Sequence, residues 1–275
     1  MKFVICTIPD THDEDLLLKE ALLNNGYDVL FVDDFKDLDI ASWSNGEPFL
    51  YHGSLEFAQY VNQVSNVIKV FTPEHYSMTY YSNLLLNRNI PMLNVTGENW
   101  PNTTLLIGDK KTKQTILNGA IKKAADKSGR VFIRPDSGMK DFSGMVFINK
   151  EPYWSYDTER VLDCNRVIIS EPRDIIAEWR FVVWEDIVID GSLYMPVFKN
   201  IWGGPILTAL AIAQNAAKAL YDHTTHKSYI DMLYTIDVCS CDLGYFLLEV
   251  NSFVSAGLYA MDYDHLAKVL KNLYK

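Results

Sequence analysis

The spacing of apolar runs changes character near residue 97, and that change restricts the fold more than any other feature of the chain. Before it, strand-like and helix-like segments alternate. "KFVICTIP" (2–9) reads as a buried strand, and "DEDLLLKEALLNNGY" (13–27) as a helix stopped by Asn-Gly. Strands are expected at 28–34, 48–54 and 66–73, with helices at 55–64 and 80–89. Such alternation implies an open, mostly parallel sheet. "GENWPNTT" (97–104) is a turn-rich connector, and 109–129 is strongly helical. Beyond it, apolar runs recur at hairpin distances: 130–135, 144–149, 166–171, 177–194 and 234–251. Antiparallel sheets are expected there, with helices at 208–223 and 263–274. The expected division is an α/β domain over 1–97 and an α+β domain over 98–275.

Composition narrows the function classes. A hydrophobic content of 48% and 275 residues suffice for a large core. The net charge of −10 argues against a generic binder of phosphate backbones, so nucleic acid is not an expected partner. Cys6, Cys164, Cys239 and Cys241 form no CxxC pair, and a chain of this size reads as carrying reduced cytosolic thiols. No basic segment followed by an apolar run opens the sequence, and no run nears the roughly 20 apolar residues that span a bilayer. The expectation is a soluble, cytoplasmic protein without a membrane partner. The sequence does not set the oligomeric state.

The run "YTIDVCSCDLGYFLLEVN" (234–251) carries the strongest chemical signal. It reads as two apolar strands around a turn, interrupted by Asp237, Glu249 and Asn251. Glu249 and Asn251 are two apart and share a strand face, and the turn returns Asp237 to nearly the same level. Two carboxylates and an amide are hard oxygen ligands, suited to magnesium that bridges phosphate oxygens. The blander alternative is an exposed sheet face with ordinary polar residues.

"FIRPDSGMKDFSGMVF" (132–147) places a Gly/Ser loop between two strands, with Arg134 before it and Lys140 within it. Backbone N–H groups of such a loop can close over phosphates, and the two cations add charge. By itself it reads as an ordinary solvated hairpin, since it lacks the spacing of a P-loop. "RVIISEPRDIIAEWRFVVW" (166–184) links two strands through Glu171, Pro172 and Arg173. Glu178 is placed to accept from ribose hydroxyls, and Arg180, on the same face, to reach a phosphate or acyl oxygen. A surface Glu/Arg pair is the alternative. His52-Gly53-Ser54 ends a strand, where ligands of open α/β sheets sit or where a structural turn suffices. His223 and His226 read as an exposed helix end.

In this order the pieces resemble the ATP-grasp superfamily over roughly residues 105–262. The resemblance is to an atypical, largely phage and bacterial clade in which arginine replaces the usual lysine before the strand proline, as in Arg134-Pro135, with a lysine, Lys140, in the loop. It implies a parallel α/β lobe ahead of a two-lobed core with antiparallel sheets. It implies ATP and Mg2+ as cofactors. Arg134, Lys140, Ser143 and, more loosely, Lys111 would contact nucleotide. The adenine hinge would run from Ser170 to Arg173 through Glu171, and Glu178 would meet the ribose. Asp237, Glu249 and Asn251 would hold metal. Arg180, Lys140 and Lys199 would serve the reaction, and Ser252, Ser255 and Gly257 would lie by the acceptor. The implied activity is ligation of a small-molecule or peptide carboxylate to an amine through an acyl phosphate. A kinase or phosphotransferase, or a nucleotide-binding module without turnover, are the other readings.

Overall fold

The computed structural model describes residues 1–7, 12–35, 39–63, 67–68, 70–93, 103–148, 156–195 and 205–274. The chain opens with β1 (Lys2–Cys6), α1 (His12–Asn24), β2 (Asp28–Val32), α2 (Ile40–Ser44), β3 (Phe49–His52), α3 (Leu55–Val61) and, after a 3-10 turn over Pro73–Tyr76, α4 (Met78–Leu86). β1 is buried along its whole length, as the apolar run Phe3–Cys6 requires of a central parallel strand, and Lys2 at its start donates to the Trp43 and Ser44 carbonyls. It lies between β2 and β3, parallel to both. The strand expected at 66–73 does not form among the described residues: Val67 makes one parallel bridge to Phe49, and Pro73, which lacks an N–H, starts the 3-10 turn.

The second half contains β4 (Thr103–Leu105), α5 (Lys110–Ala124), β5 (Arg130–Pro135), β6 (Met145–Ile148), α6 (Tyr156–Asp163) and β7 (Arg166–Ser170). These strands form an antiparallel sheet in the order β4-β7-β5-β6. Then follow β8 (Ile175–Trp184), β9 (Ile187–Met195), α7 (Pro205–Ala219), β10 (Tyr221–Asp222), β11 (Lys227–Ser228), β12 (Leu233–Cys241), β13 (Gly244–Ser252) and α8 (Tyr263–Leu273). A second antiparallel sheet has the order β13-β12-β8-β9. The helix expected to reach residue 223 stops at Ala219, because Tyr221 and Asp222 pair with Ser228 and Lys227 instead. His223 and His226 therefore lie in a small hairpin turn, not on a helix end.

Among the described residues two large hydrophobic cores result, beside a small cluster of Leu93, Cys239 and Cys241. The larger joins the parallel sheet to the β13-β12-β8-β9 sheet, through residues such as Phe3, Phe49, Tyr81, Val182, Ile236 and Leu270. The smaller lies under the other antiparallel sheet and includes Leu106, Leu117, Ile133, Phe142 and Val161. Each fully buried large aliphatic or aromatic side chain contributes about 1.5–3 kcal/mol. α8 packs on α1, and Tyr27 Oη donates to the Ala267 carbonyl at 2.9 Å. No helix among the described residues is long and apolar enough to cross a membrane.

Candidate functional site

The β12–β13 hairpin turns through Asp242-Leu243, and Gly244 follows at φ +122°, a conformation that glycine adopts without a Cβ clash. From there the ladder is regular as far as Val238 opposite Leu247. The next pair is Asp237 opposite Glu249, so Leu248 is an extra residue in β13. This bulge decides the chemistry. In a regular strand Glu249 would share a face with Leu247, which is fully buried in the larger core. The extra residue turns Glu249, and with it Asn251, to the face of Asp237. On the other side of β12, Asp237 pairs with Arg180 of β8. Arg180, Asp237 and Glu249 thus form a row across three strands.

The row is tightly bonded. Arg180 grips Asp237 with both ends of its fork, at 2.7 Å from Nε and 2.6 Å from Nη2, and donates from Nη1 to the Gly257 carbonyl at 3.1 Å. Asn251 Nδ2 sits between the two carboxylates, 3.0 Å from Asp237 and 2.7 Å from Glu249. Two carboxylates therefore converge on one amide, which donates an N–H to each; the carboxylate oxygens and the amide Oδ1 are the hard donors that a cation would use. Among the described residues no group of three or more His, Cys, Asp or Glu side chains is placed to hold a metal ion, and Asn251 turns its nitrogen, not its oxygen, toward the two carboxylates.

Charge balances burial. Burial alone would push Glu249 up, but Arg134, Lys140 and the Asn251 amide together hold it well below the usual carboxylate range. Burial pushes Asp237 up against the pull of Arg180. Burial works against the Arg180 charge too, and Asp237 more than offsets it. Removing one partner of such a pair leaves an uncompensated charge in the interior.

A cleft of about 360 Å³ separates the two antiparallel sheets. Arg134 spans it from β5, with Nη2 2.7 Å from Glu249 Oε2. Lys140, half-exposed at φ +50°, stands 4.0 Å from Glu249. Ser143 and Gly144 line the rim. Phe132, Ile175 and Leu248 give the cleft apolar walls beside Glu178, an arrangement that suits a flat ring with polar substituents. Glu178 accepts a hydrogen bond from Tyr194, while burial pushes its carboxyl up.

The cleft thus brings together Arg134, Lys140, Ser143, Glu178 and Glu249, with Arg180, Asp237 and Asn251 joined to them by hydrogen bonds. Glu171 and Arg173 pair with each other at 2.8 Å in the β7–β8 link and are not among the cleft-lining residues. Lys111 is exposed on the first turn of α5, also outside the lining. Lys199 lies outside the described residues. His52 is buried, with Nδ1 3.1 Å from the Phe253 carbonyl, and Ser54 caps α3. Sequence reasoning missed Tyr194, whose partner depends on a second bulge, between Glu178 and Trp179. It also missed how the 136–144 loop is tied. Buried Asp136 accepts from the Thr79 backbone and hydroxyl, and Gly138 packs against the Pro73 carbonyl so closely that a Cβ would lie 2.2 Å from it.

Comparison with known proteins places this geometry. No sequence relative is found among curated proteins. Solved structures with the same fold include D-cycloserine synthetase, 14% identical with a TM-score of 0.66 over 100% of both chains. A RimK domain protein ATP-grasp from Sphaerobacter thermophilus is 14% identical, with a TM-score of 0.63 over 98% of this chain and 100% of its own. D-alanine–D-alanine ligase from Bacillus anthracis, complexed with ATP, is 12% identical, with a TM-score of 0.53 over 91% of this chain and 84% of its own. At these identities the likeness concerns the fold. The sequence profile described as ATP-grasp domain, R2K clade family 2, matches residues 112–269, more than half of the chain and all of the Arg134-to-Asn251 constellation. The chain belongs to that family of ATP-grasp proteins.

Proposed function

We propose that the chain is an ATP-dependent carboxylate–amine ligase that works through an acyl phosphate and releases ADP. The observation that carries this reading is the Arg134–Glu249 contact across the cleft, beside Asp237 and Asn251. It sets phosphate-binding cations against a hard-donor floor. The fold is shared with D-cycloserine synthetase and D-alanine–D-alanine ligase. We take 1–97 and 98–275 as the two domains, and the four free, buried cysteines suit the cytoplasm.

In this reading Arg134, Lys140 and Ser143 hold the phosphates, and Glu178 accepts from the ribose hydroxyls. Lys111, Glu171 and Arg173 are assigned supporting contacts with the nucleotide, and Lys199 is assigned with Lys140 to the transferring phosphoryl group. Asp237, Glu249 and Asn251 would hold magnesium, which when bound supplies charge neutralisation at the β- and γ-phosphates. A substrate carboxylate oxygen attacks the γ-phosphorus, the bond to the ADP oxygen breaks, and Lys140 and Arg134 balance the spreading charge. An amine then attacks the acyl carbon, loses its proton, and displaces inorganic phosphate, while Arg180 holds the tetrahedral oxyanion.

The test is calorimetric titration of ATP with and without magnesium, followed by ADP release with a pool of amino acids, for the wild type and Glu249→Ala. Magnesium-dependent binding, acceptor-stimulated release, and loss of both in a folded Glu249→Ala protein are expected. ADP release without an amide product would indicate a phosphotransferase. Binding without turnover would indicate a nucleotide-binding module.

A further inference from the structure

Tyr259 has features that the scheme above does not use. It is not glycine, yet its φ is +52°, in the left-handed region that L side chains disfavour. Side chains hold its backbone from both ends. Glu14 Oε2, on α1, accepts from the N–H of Leu258 at 2.7 Å and of Tyr259 at 3.1 Å. Tyr263 Oη donates to the Tyr259 carbonyl at 3.1 Å. The ring lies over Gly257, where an added Cβ would stand 3.1 Å from it. It stacks on Tyr194 with centroids 4.6 Å apart and planes at 7°. The guanidinium of Arg180 lies 5.3 Å from the Tyr194 ring and 5.4 Å from the Tyr259 ring. Despite all this, Tyr259 remains 39% exposed, so burial of its own surface does not account for the arrangement.

What the ring covers is Arg180. A guanidinium carries five N–H donors, and Asp237 and Gly257 take three of them. The other two N–H groups can meet a developing oxyanion only if the guanidinium plane is fixed. Asp237 fixes one edge. The two rings, stacked on each other, flank the guanidinium at nearly equal distance, restrict its tilt and keep water from it. In a site with less water, the same two donors stabilise an oxyanion more strongly.

We infer that Tyr259 is a positioning residue for Arg180, held in place by Glu14 so that the first α/β unit sets the orientation of the arginine. The inference rests on the ligase reading, in which Arg180 holds the tetrahedral oxyanion. Tyr259 is not needed for nucleotide binding, because the ring is not part of the nucleotide cleft lining.

The experiment compares the wild type with Tyr259→Phe and Tyr259→Gly. Glycine accepts the left-handed backbone without steric cost, so Tyr259→Gly removes the ring and leaves the path of the loop. The readouts are thermal melting, ATP affinity by calorimetry, and ADP release at saturating ATP with pooled amino acids. Tyr259→Gly should lower the maximal rate by about 10–100-fold, with KM for ATP changed by less than about twofold. Tyr259→Phe, which keeps the stack, should restore the rate to within about twofold of wild type. An unchanged rate in Tyr259→Gly overturns the inference and leaves the ligase reading standing. A parallel loss of ATP affinity and melting temperature also overturns it, since that marks a structural role. A wild type inert toward every acceptor removes the ligase reading, and the assignment of Tyr259 falls with it.

Discussion

Lys140 and His52 show how differently two basic residues can be used. Lys140 is half-exposed on the cleft rim and 4.0 Å from a carboxylate that Arg134 already holds at 2.7 Å. Its own attraction to Glu249 is therefore worth little to the fold. Lys140→Ala should leave stability within about 0.5 kcal/mol of wild type and reduce ADP release at saturating ATP more than ATP affinity. An unchanged rate would take the loop lysine out of the reaction. His52 is buried beside the Phe253 carbonyl, and its Nε2 is 3.7 Å from Asp15, beyond hydrogen-bond range. Burial wins, and the imidazole is pushed down to about 4. The unfolded imidazole takes up a proton near pH 6.5, so between that value and about 4 the unfolded state binds more protons. Stability contributed by a neutral His52 is thus complete above pH about 6.5 and is lost as pH falls through this window, by up to about 3 kcal/mol. Urea midpoints measured from pH 7 to pH 4 should fall more steeply for wild type than for His52→Gln. Parallel curves would show that His52 is charged in the folded protein.

At the scale of elements, the loop over 136–144 is two pieces with different freedom. Its first residues are fastened to the α/β half by Asp136 and Gly138, and only the stretch from Lys140 onward faces the cleft. Gly138→Ala should force the loop off the Pro73 carbonyl, costing about 1–3 kcal/mol and weakening ATP binding with it. Wild-type ATP affinity in that variant would show that the anchor does not set the cleft. Much at this scale was legible from residues alone. Long periodic runs announced α1, α5, α7 and the β12–β13 hairpin, and the polar interruptions at Asp237, Glu249 and Asn251 marked the side chains that now share one face. α2, β4 and α6 were not read, because elements of five, three and eight residues hold too few repeats to establish a period. The bulges at Leu248 and Tyr194 were hidden for another reason. Register arises from how two strands fit together, and "FLLEVN" reads the same with or without the extra residue. The sequence placed Asp237, Glu249 and Asn251 on one face, as found, but could not show that the extra residue Leu248 is what puts them there. Nor could it show that Asp237 and Glu249 each carry an arginine partner of their own.

The molecule as a whole is held by contacts between distant parts of the chain. The larger core draws on the parallel sheet, the β13-β12-β8-β9 sheet and α8 together, so these parts should unfold as one unit. Leu270, fully buried on α8, tests this: Leu270→Ala should cost about 2–5 kcal/mol. Far-ultraviolet dichroism and tryptophan fluorescence should then shift to the same lower midpoint. Separate midpoints would mean that α8 docks on a sheet that is already complete. The closure of α1 by α8 also has a consequence for biosynthesis. Tyr27 waits for Ala267, a partner 240 residues further along the chain. While the ribosome makes that span, the emerging parallel sheet has its strands and its first helices but an apolar flank still open to solvent. Productive folding must therefore come late, and for most of translation the nascent chain is a client for whatever shields exposed apolar surface.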